Sequence, residues 1–370
     1  MIDLNKLVDY MPLILRLYFL VLFGLYSFTF ALWLLYAYRV DVFALLNNPL
    51  PVNRLNQYQA PLYRLTYKLS IIGTFLFVAA EIIYVLTESS ELSYIPVAIF
   101  CVIIFMPVRK LQYFQRKVFI RQCLRISTGK YAVECKFPDI IFSDLLTSYS
   151  RVIADLWLAG AILIYIVGKP TSSRRKELEN EAIMSLIAAY PYAIRFRQCL
   201  IERAHADNEQ GQFWSTMNAI KYLTAFPAIF LGIVGNQRMT FMWFLWNASS
   251  AINSTYSFWW DVSQDWNLDF LKDPLNDKSW KFQTRRPFSI VVYIFFSALD
   301  FILRMSWVVR VLSERHTSFF ATDFGIFLMQ FLEVFRRCIW VFFRIEAEAS
   351  KTMAYLSVHG FNDDALSHPE

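Results

Sequence analysis

Nine apolar runs dominate this chain, at about residues 13–38, 66–87, 92–108, 143–168, 182–200, 213–235, 240–262, 287–311 and 320–346. A helix needs about 20 mostly apolar residues to cross the hydrocarbon core of a bilayer, and most of these runs have that length. The expected fold is therefore an all-α polytopic membrane protein with about nine transmembrane helices. Composition agrees, since 56% of the 370 residues are apolar and 18% aromatic, outside the usual range of soluble domains. Such a surplus of Phe, Tyr and Trp suits a lipid-facing surface with aromatic belts at headgroup level. The first run is too long for a signal-peptide core and lacks a small-residue cleavage pattern, so it is expected to remain as a span.

Cytoplasmic loops retain an excess of Lys and Arg, which sets the expected orientation. Arg109, Lys110, Arg116, Lys117, Arg121, Arg125, Lys130 and Lys136 crowd the stretch between the third and fourth runs, which should face the cytoplasm. Leu111, Phe114, Val118 and Phe119 within it predict an interfacial amphipathic helix. With nine spans the N-terminus is then lumenal and the C-terminal tail cytoplasmic. The 172–181 loop, where three bases meet three glutamates, is the exception on the opposite side.

Several classes of function are excluded by what accompanies the runs. The net charge of +6 could suggest nucleic acid, but the bases fall in short loops rather than in one basic domain. No glycine-rich phosphate loop is present. Cys101, Cys123, Cys135, Cys199 and Cys338 are odd in number, form no CxxC pair and have no histidine at zinc-ligand spacing. Neither a disulfide framework, a metal nor a cofactor is expected. His205, His316, His359 and His368 fall in loops or the tail, so an acid–base enzyme is not expected either.

The chemistry lies in charges inside the runs. An ionised side chain at mid-bilayer costs roughly 2.5–3.5 kcal/mol even on a lenient scale, so each should face a partner or a wet cavity. FPDIIFSDLLTSYSRVIADLW carries Asp139, Asp144, Arg151 and Asp155 beside Thr147 and Ser148; YPYAIRFRQCL carries Arg195 and Arg197; NAIKYLT carries Lys221 and Tyr222. FWWDVSQDW holds Asp261 and Asp265, LDFILRMSW holds Asp300 and Arg304, and LEVFRRCIWVFFRIE holds Glu333, Arg336 and Arg337. Residues three or four apart share a helix face, as Asp261 and Asp265, Asp300 and Arg304, and Glu333 with Arg336 and Arg337 do. Cations drawn from several helices are what an oxyanion requires, with guanidinium forks binding its oxygens in pairs and nearby carboxylates compensating the bases when the site is empty. The plainer reading of any one such pair is a structural ion pair or a snorkelling residue, and Arg310 and Arg344, near run ends, are read that way. The FWW and WVFF clusters are read as packing. The sequons at Asn247 and Asn253 fall inside a run and are discounted.

In these same segments the sequence resembles the EXS family, the membrane domain of SPX-EXS phosphate exporters. FPDIIFSD, RFRQC, NAIKYLT, WDVSQDW, ILRMSW and LEVFRRCIWVFFRIE match in order and spacing over about residues 137–350, with weaker similarity through the three preceding spans. The resemblance is strongest to short fungal Golgi members that lack the SPX domain and support retention of endoplasmic-reticulum proteins. It divides the chain into a three-span region with the basic helix over 1–136, a six-helix EXS-type transport domain over 137–350 and a cytoplasmic tail over 351–370. It implies movement of inorganic phosphate from Golgi lumen to cytosol, recovering phosphate released by glycosylation. Carried over by motif, the substrate-binding residues are Asp144, Thr147, Arg195, Lys221, Tyr222, Asp261, Asp265, Arg304, Arg336 and Arg337. Trp307 and Glu333 form the gate, Glu333 pairing a site arginine. Thr147 departs from the exporters, which have an amide residue there.

The implied partners are inorganic phosphate, membrane lipids, Golgi glycosyltransferases or sorting factors and a second copy of the chain, but not nucleic acid. Two alternatives to transport stand beside it. The basic helix from Arg109 to Arg125 could recruit cytosolic coats or glycosyltransferase tails, making the chain a sorting protein, although the same charges suit anionic lipid. A membrane-embedded transferase is disfavoured by the absence of a catalytic histidine or metal-ligand pattern.

Overall fold

The computed structural model describes residues 11–38, 62–128, 136–168, 180–234, 240–268, 286–313 and 322–358. Arg39, Arg54, Lys130, Cys135, most of the 172–181 loop, His316, His359, His368 and most of the tail lie outside the described residues, as does the side chain of Arg310. Among the described residues all regular structure is helical, as expected of an all-α membrane protein.

Two long apolar helices, α1 (Leu13–Ala37) and α2 (Leu62–Thr87), pack together. They meet tightly at Gly73, where a Cβ would come within 2.4 Å of Leu22 Cδ2 and where the Tyr18 hydroxyl donates 2.9 Å to the Gly73 carbonyl. Helix α3 (Tyr94–Phe105) has only 12 residues, about 18 Å at the α-helical rise and too short to cross the hydrocarbon core. A 3₁₀ turn (Arg109–Leu111) leads into the basic helix α4 (Tyr113–Thr128). On it Val118, Phe119 and Leu124 are exposed. Arg116 departs from the expected surface role. The residue is 2% exposed and its guanidinium donates to the carbonyls of Ile103 (2.6 Å), Ile104 (2.8 Å), Val108 (3.0 Å) and Leu111 (2.8 Å), closing the open end of α3.

The fourth expected run starts earlier than its apolar core and is broken. Pro138 in the first turn and Asp139, whose carboxylate accepts 3.1 Å from the Lys136 amide, open α5 (Phe137–Ser148). At Tyr149 the chain bends by 66° into α6 (Ser150–Gly168). The Ser143 and Thr147 hydroxyls bond back to the carbonyls of Asp139 (2.5 Å) and Asp144 (2.7 Å), a pattern that loosens and bends helices. Helices α7 (Glu181–Ala204) and α8 (Glu209–Leu223) follow, capped by the side chains of Asn180 and Asn208. The expected 213–235 span is interrupted at Thr224 between α8 and α9 (Ala225–Val234), where Thr224 Oγ1 donates 2.7 Å to the Lys221 carbonyl. The expected 287–311 span is divided between α11 (Ile290–Arg304) and α12 (Ser306–Ser313). Between them in sequence, α10 (Phe241–Trp260) widens into a π turn over Asp261–Asp265. Arg286 ties down the end of that turn, donating 2.7 Å to the Trp266 carbonyl and 2.8 Å to Glu346.

The last helix, α13 (Asp323–Val358), packs against α1, α5, α11 and the π turn and forms the spine of the bundle. By length and hydropathy three described segments could each cross a membrane, Leu13–Ala37, Leu62–Thr87 and Glu209–Ile233, and the bent α5–α6 pair would make a fourth. The other expected spans are helical too, but short or interrupted by polar and charged residues that turn inward.

Candidate functional site

Charged residues on α8, α10, α11 and α13 turn toward one interior cavity of about 140 Å³, room for roughly ten waters by the space one water needs. Its wall holds Lys221, Arg304, Arg336 and Arg337 against the carboxylates Asp261 and Glu333. Thr147, Tyr192, Tyr222, Asn253, Ser254 and Ser257 complete it. A wall with four cations against two carboxylates suits a bound anion, because charges attract more strongly away from bulk solvent.

Arg336, 1% exposed, is the most heavily paired of the four cations. Its Nε and Nη2 donate to the two oxygens of Glu333 (2.9 and 2.7 Å), and Nη1 reaches Asp300 (3.2 Å) and Asp261 (3.3 Å). Arg304 also bonds Asp261 and lies 3.8 Å from Asp300. Arg337 differs. Its Nε donates 2.6 Å to the Ser148 hydroxyl and its Nη2 3.3 Å to Thr147, its face lies 4.5 Å from the Trp340 ring, and no carboxylate among the described residues pairs with it. Lys221 Nζ stands 3.9 Å from Asp261 and 3.8 Å from Asp265, beyond hydrogen-bond length, over the rings of Tyr222 and Trp260.

Behind the wall, Asp144 accepts from the Tyr222 hydroxyl and from Arg195 Nε (2.8 Å), while Arg195 Nη1 donates 2.6 Å to Gln198. Gln198 is fixed in turn by Ser143 (2.6 Å), and Asp139 is paired with Arg125 of the basic helix. The twelve residues singled out from the sequence thus converge. Thr147, Lys221, Tyr222, Asp261, Arg304, Glu333, Arg336 and Arg337 line the cavity, and Asp144, Arg195 and Asp265 stand one contact behind it. Trp307 does not line it, but its indole donates 3.0 Å to Ser254, which does. Arg197, two residues from Arg195, is exposed on another face.

Other contributors were not singled out as site residues from the sequence. Ser148 bridges Arg337 and Glu333, and Asn253, set aside as a buried sequon, lines the wall and accepts 3.0 Å from Thr224. Ser250, Ser254, Ser257 and Asp261 form a buried stripe at spacings of four, three and four, a helical periodicity that could have found them. Arg344, read as snorkelling, is drawn inward, with its side chain 13% exposed and paired with Glu348 at 3.0 Å. No group of residues suited to holding a metal occurs among the described residues.

Fold and site together define a polytopic helical membrane protein built around an internal, cation-rich cavity. The chain belongs to the EXS family, which it matches over residues 11–350, taking in α1–α4 as well as the charged helices. It is 66% identical to Protein ERD1 homolog 1 of Schizosaccharomyces pombe over 368 residues, covering 100% of this chain and 99% of that one. Protein ERD1 of Kluyveromyces lactis is 32% identical over 232 residues, 56% of this chain and 58% of that one. Phosphate transporter PHO1 homolog 8 of Arabidopsis thaliana is 30% identical over 223 residues, 57% of this chain and 27% of that much longer one.

Proposed function

We propose that the chain carries inorganic phosphate across its membrane through the cavity, with no catalytic step. The supporting observation is Arg337, a buried guanidinium held by neutral hydroxyls beside Lys221 and Arg304, so that the wall retains positive charge for a ligand to neutralise. Phosphate suits such a site because its oxygens accept from guanidinium forks, hydroxyls and an ammonium at once. The break at Tyr149, next to Thr147 and Ser148, supports the same reading, since transporters commonly form their substrate sites where a span is discontinuous. A relative named as a phosphate transporter aligns with 57% of this chain. The resemblance to the short fungal members extends the proposal to the Golgi membrane, with the N-terminus lumenal, the C-terminus cytoplasmic and phosphate returned to the cytosol. Retention of resident proteins would then depend on that return.

The test is reconstitution of purified protein into liposomes with labelled phosphate inside. Efflux above that of protein-free vesicles is expected, with competition by sulfate measuring selectivity, and efflux equal to the protein-free control overturns the proposal.

A sorting role through α4 keeps one observation in its favour, the exposed Val118, Phe119 and Arg121. Arg116 is unavailable to a partner because it closes α3, so the discriminating variants are Lys117→Glu and Arg121→Glu. Under this second reading they abolish retention of resident proteins and leave phosphate flux intact.

A further inference from the structure

On α13 a row of polar residues leaves the cavity at Arg337 and continues through Trp340, Arg344, Glu348 and Lys351, at helical spacings of three, four, four and three. Residues at those spacings follow one face. Side-chain exposure rises along the ion-pair chain that begins in the cavity wall, from 7% at Lys221 and 13% at Asp265 and Arg344 to 30% at Glu348 and 46% at Lys351. The row therefore runs from the buried interior to the surface at one end of the bundle.

Its middle is incompletely bonded. The Asp265 carboxylate lies between two cations, with Oδ2 3.8 Å from Lys221 Nζ and Oδ1 3.7 Å from Arg344 Nε, and it accepts 3.2 Å from the Trp340 indole. Both ion-pair distances exceed hydrogen-bond length, and the buried Nε–H of Arg344 has no acceptor among the described residues. A buried donor on a charged group left without an acceptor is costly, and such groups call for an explanation. Elsewhere the guanidinium is fixed: Nη1 donates 3.0 Å to Glu348, and its face lies 5.1 Å from the Phe137 ring. One edge remains, turned toward Asp265 and, beyond it, Lys221.

We propose that Arg344, Lys221 and the Trp340 indole form a second station for a tetrahedral oxyanion, between the cavity and the surface end of α13, at which the ligand displaces the Asp265 carboxylate. The station rests on the phosphate reading of the cavity and adds a site that shares Lys221 with the cavity wall. Asp265 stands where the ligand would bind, close enough to compensate both cations and beyond hydrogen-bond length from either. An arriving oxyanion satisfies the Arg344 Nε–H and the Lys221 ammonium together. Asp265 then acts as its competitor, and its negative charge keeps the ligand from being held too tightly to leave.

Two measurements on the full chain separate this inference from the transport reading. Equilibrium binding of labelled phosphate to purified protein is expected to give two sites in the wild type and one in Arg344→Gln, with Arg344→Lys keeping the second site at about tenfold lower affinity. Asp265→Asn is expected to tighten the second site about tenfold while slowing efflux from liposomes, a pairing that loss of a merely structural ion pair would not produce. It also decides the matter should Arg344→Gln fail to fold. A single site in the wild type, two unchanged sites in Arg344→Gln, or weakened binding in Asp265→Asn overturns the station even where wild-type efflux is strong. Two sites of the expected behaviour with no wild-type efflux uphold the station as a binding site and sink transport instead.

Discussion

The two sides of the cavity hold their cations by different means. On one side Arg336 is enclosed by Glu333, Asp300 and Asp261, and Arg304 shares Asp261 with it. On the other, Arg337 has hydroxyls and an indole face for company, and Lys221 stands off two carboxylates at 3.8–3.9 Å. A carboxylate neutralises a buried cation outright, whereas a hydroxyl offers only a dipole and leaves the charge to be met by something else. Adjacent arginines on one helix therefore carry separate duties: Arg336 knits α10, α11 and α13 together, and Arg337 faces what enters.

Removing the first should cost the fold and removing the second the ligand. In Arg336→Ala three carboxylates lose their shared cation, and breaking a buried pair of this kind costs about 3–5 kcal/mol. Thermal melting in detergent should show that loss, and a variant as stable as the wild type would abolish the distinction between the two sides. Arg337→Ala should remain folded. Charge-assisted hydrogen bonds contribute about 1.5–3 kcal/mol, so phosphate efflux at low concentration should fall about 10- to 100-fold. Efflux matching that of the wild type would place the ligand elsewhere. The smallest effect is expected from Thr147→Asn, which restores the amide of the longer exporters beside Arg337. Exchanging one neutral hydrogen-bonding group for another should alter half-saturation by no more than about threefold. A larger change would mean that Thr147 touches the ligand more closely than through Arg337.

The membrane class and the charged helices were legible because a buried charge in an apolar run is conspicuous: Lys221, Asp261, Arg304, Arg336 and Arg337 announce themselves against Phe, Leu and Ile. Residues that complete the site without charge were not. Ser148, Asn253, Ser254 and Ser257 are ordinary residues that matter only through which way they point, and Asn253 carried a misleading sequon. The interruptions were hidden for a related reason. The bend at Tyr149 and the break at Thr224 accompany hydroxyls bonding back to their own helices, a competition that apolar run length does not register. Arg344 was misjudged because its position near the end of the last apolar run looked like a headgroup anchor, and only the π turn carrying Asp265 toward it reveals the inward contact.

Arg116 has a consequence for how the chain is made. Helix α3 ends with carbonyls that nothing upstream satisfies among the described residues, and the side chain that serves them belongs to the helix that follows. During synthesis α3 cannot settle in the bilayer in its final form until that arginine has emerged from the ribosome and folded back. The two helices therefore depend on each other, and a chain stopped between them would leave those carbonyls without their donor.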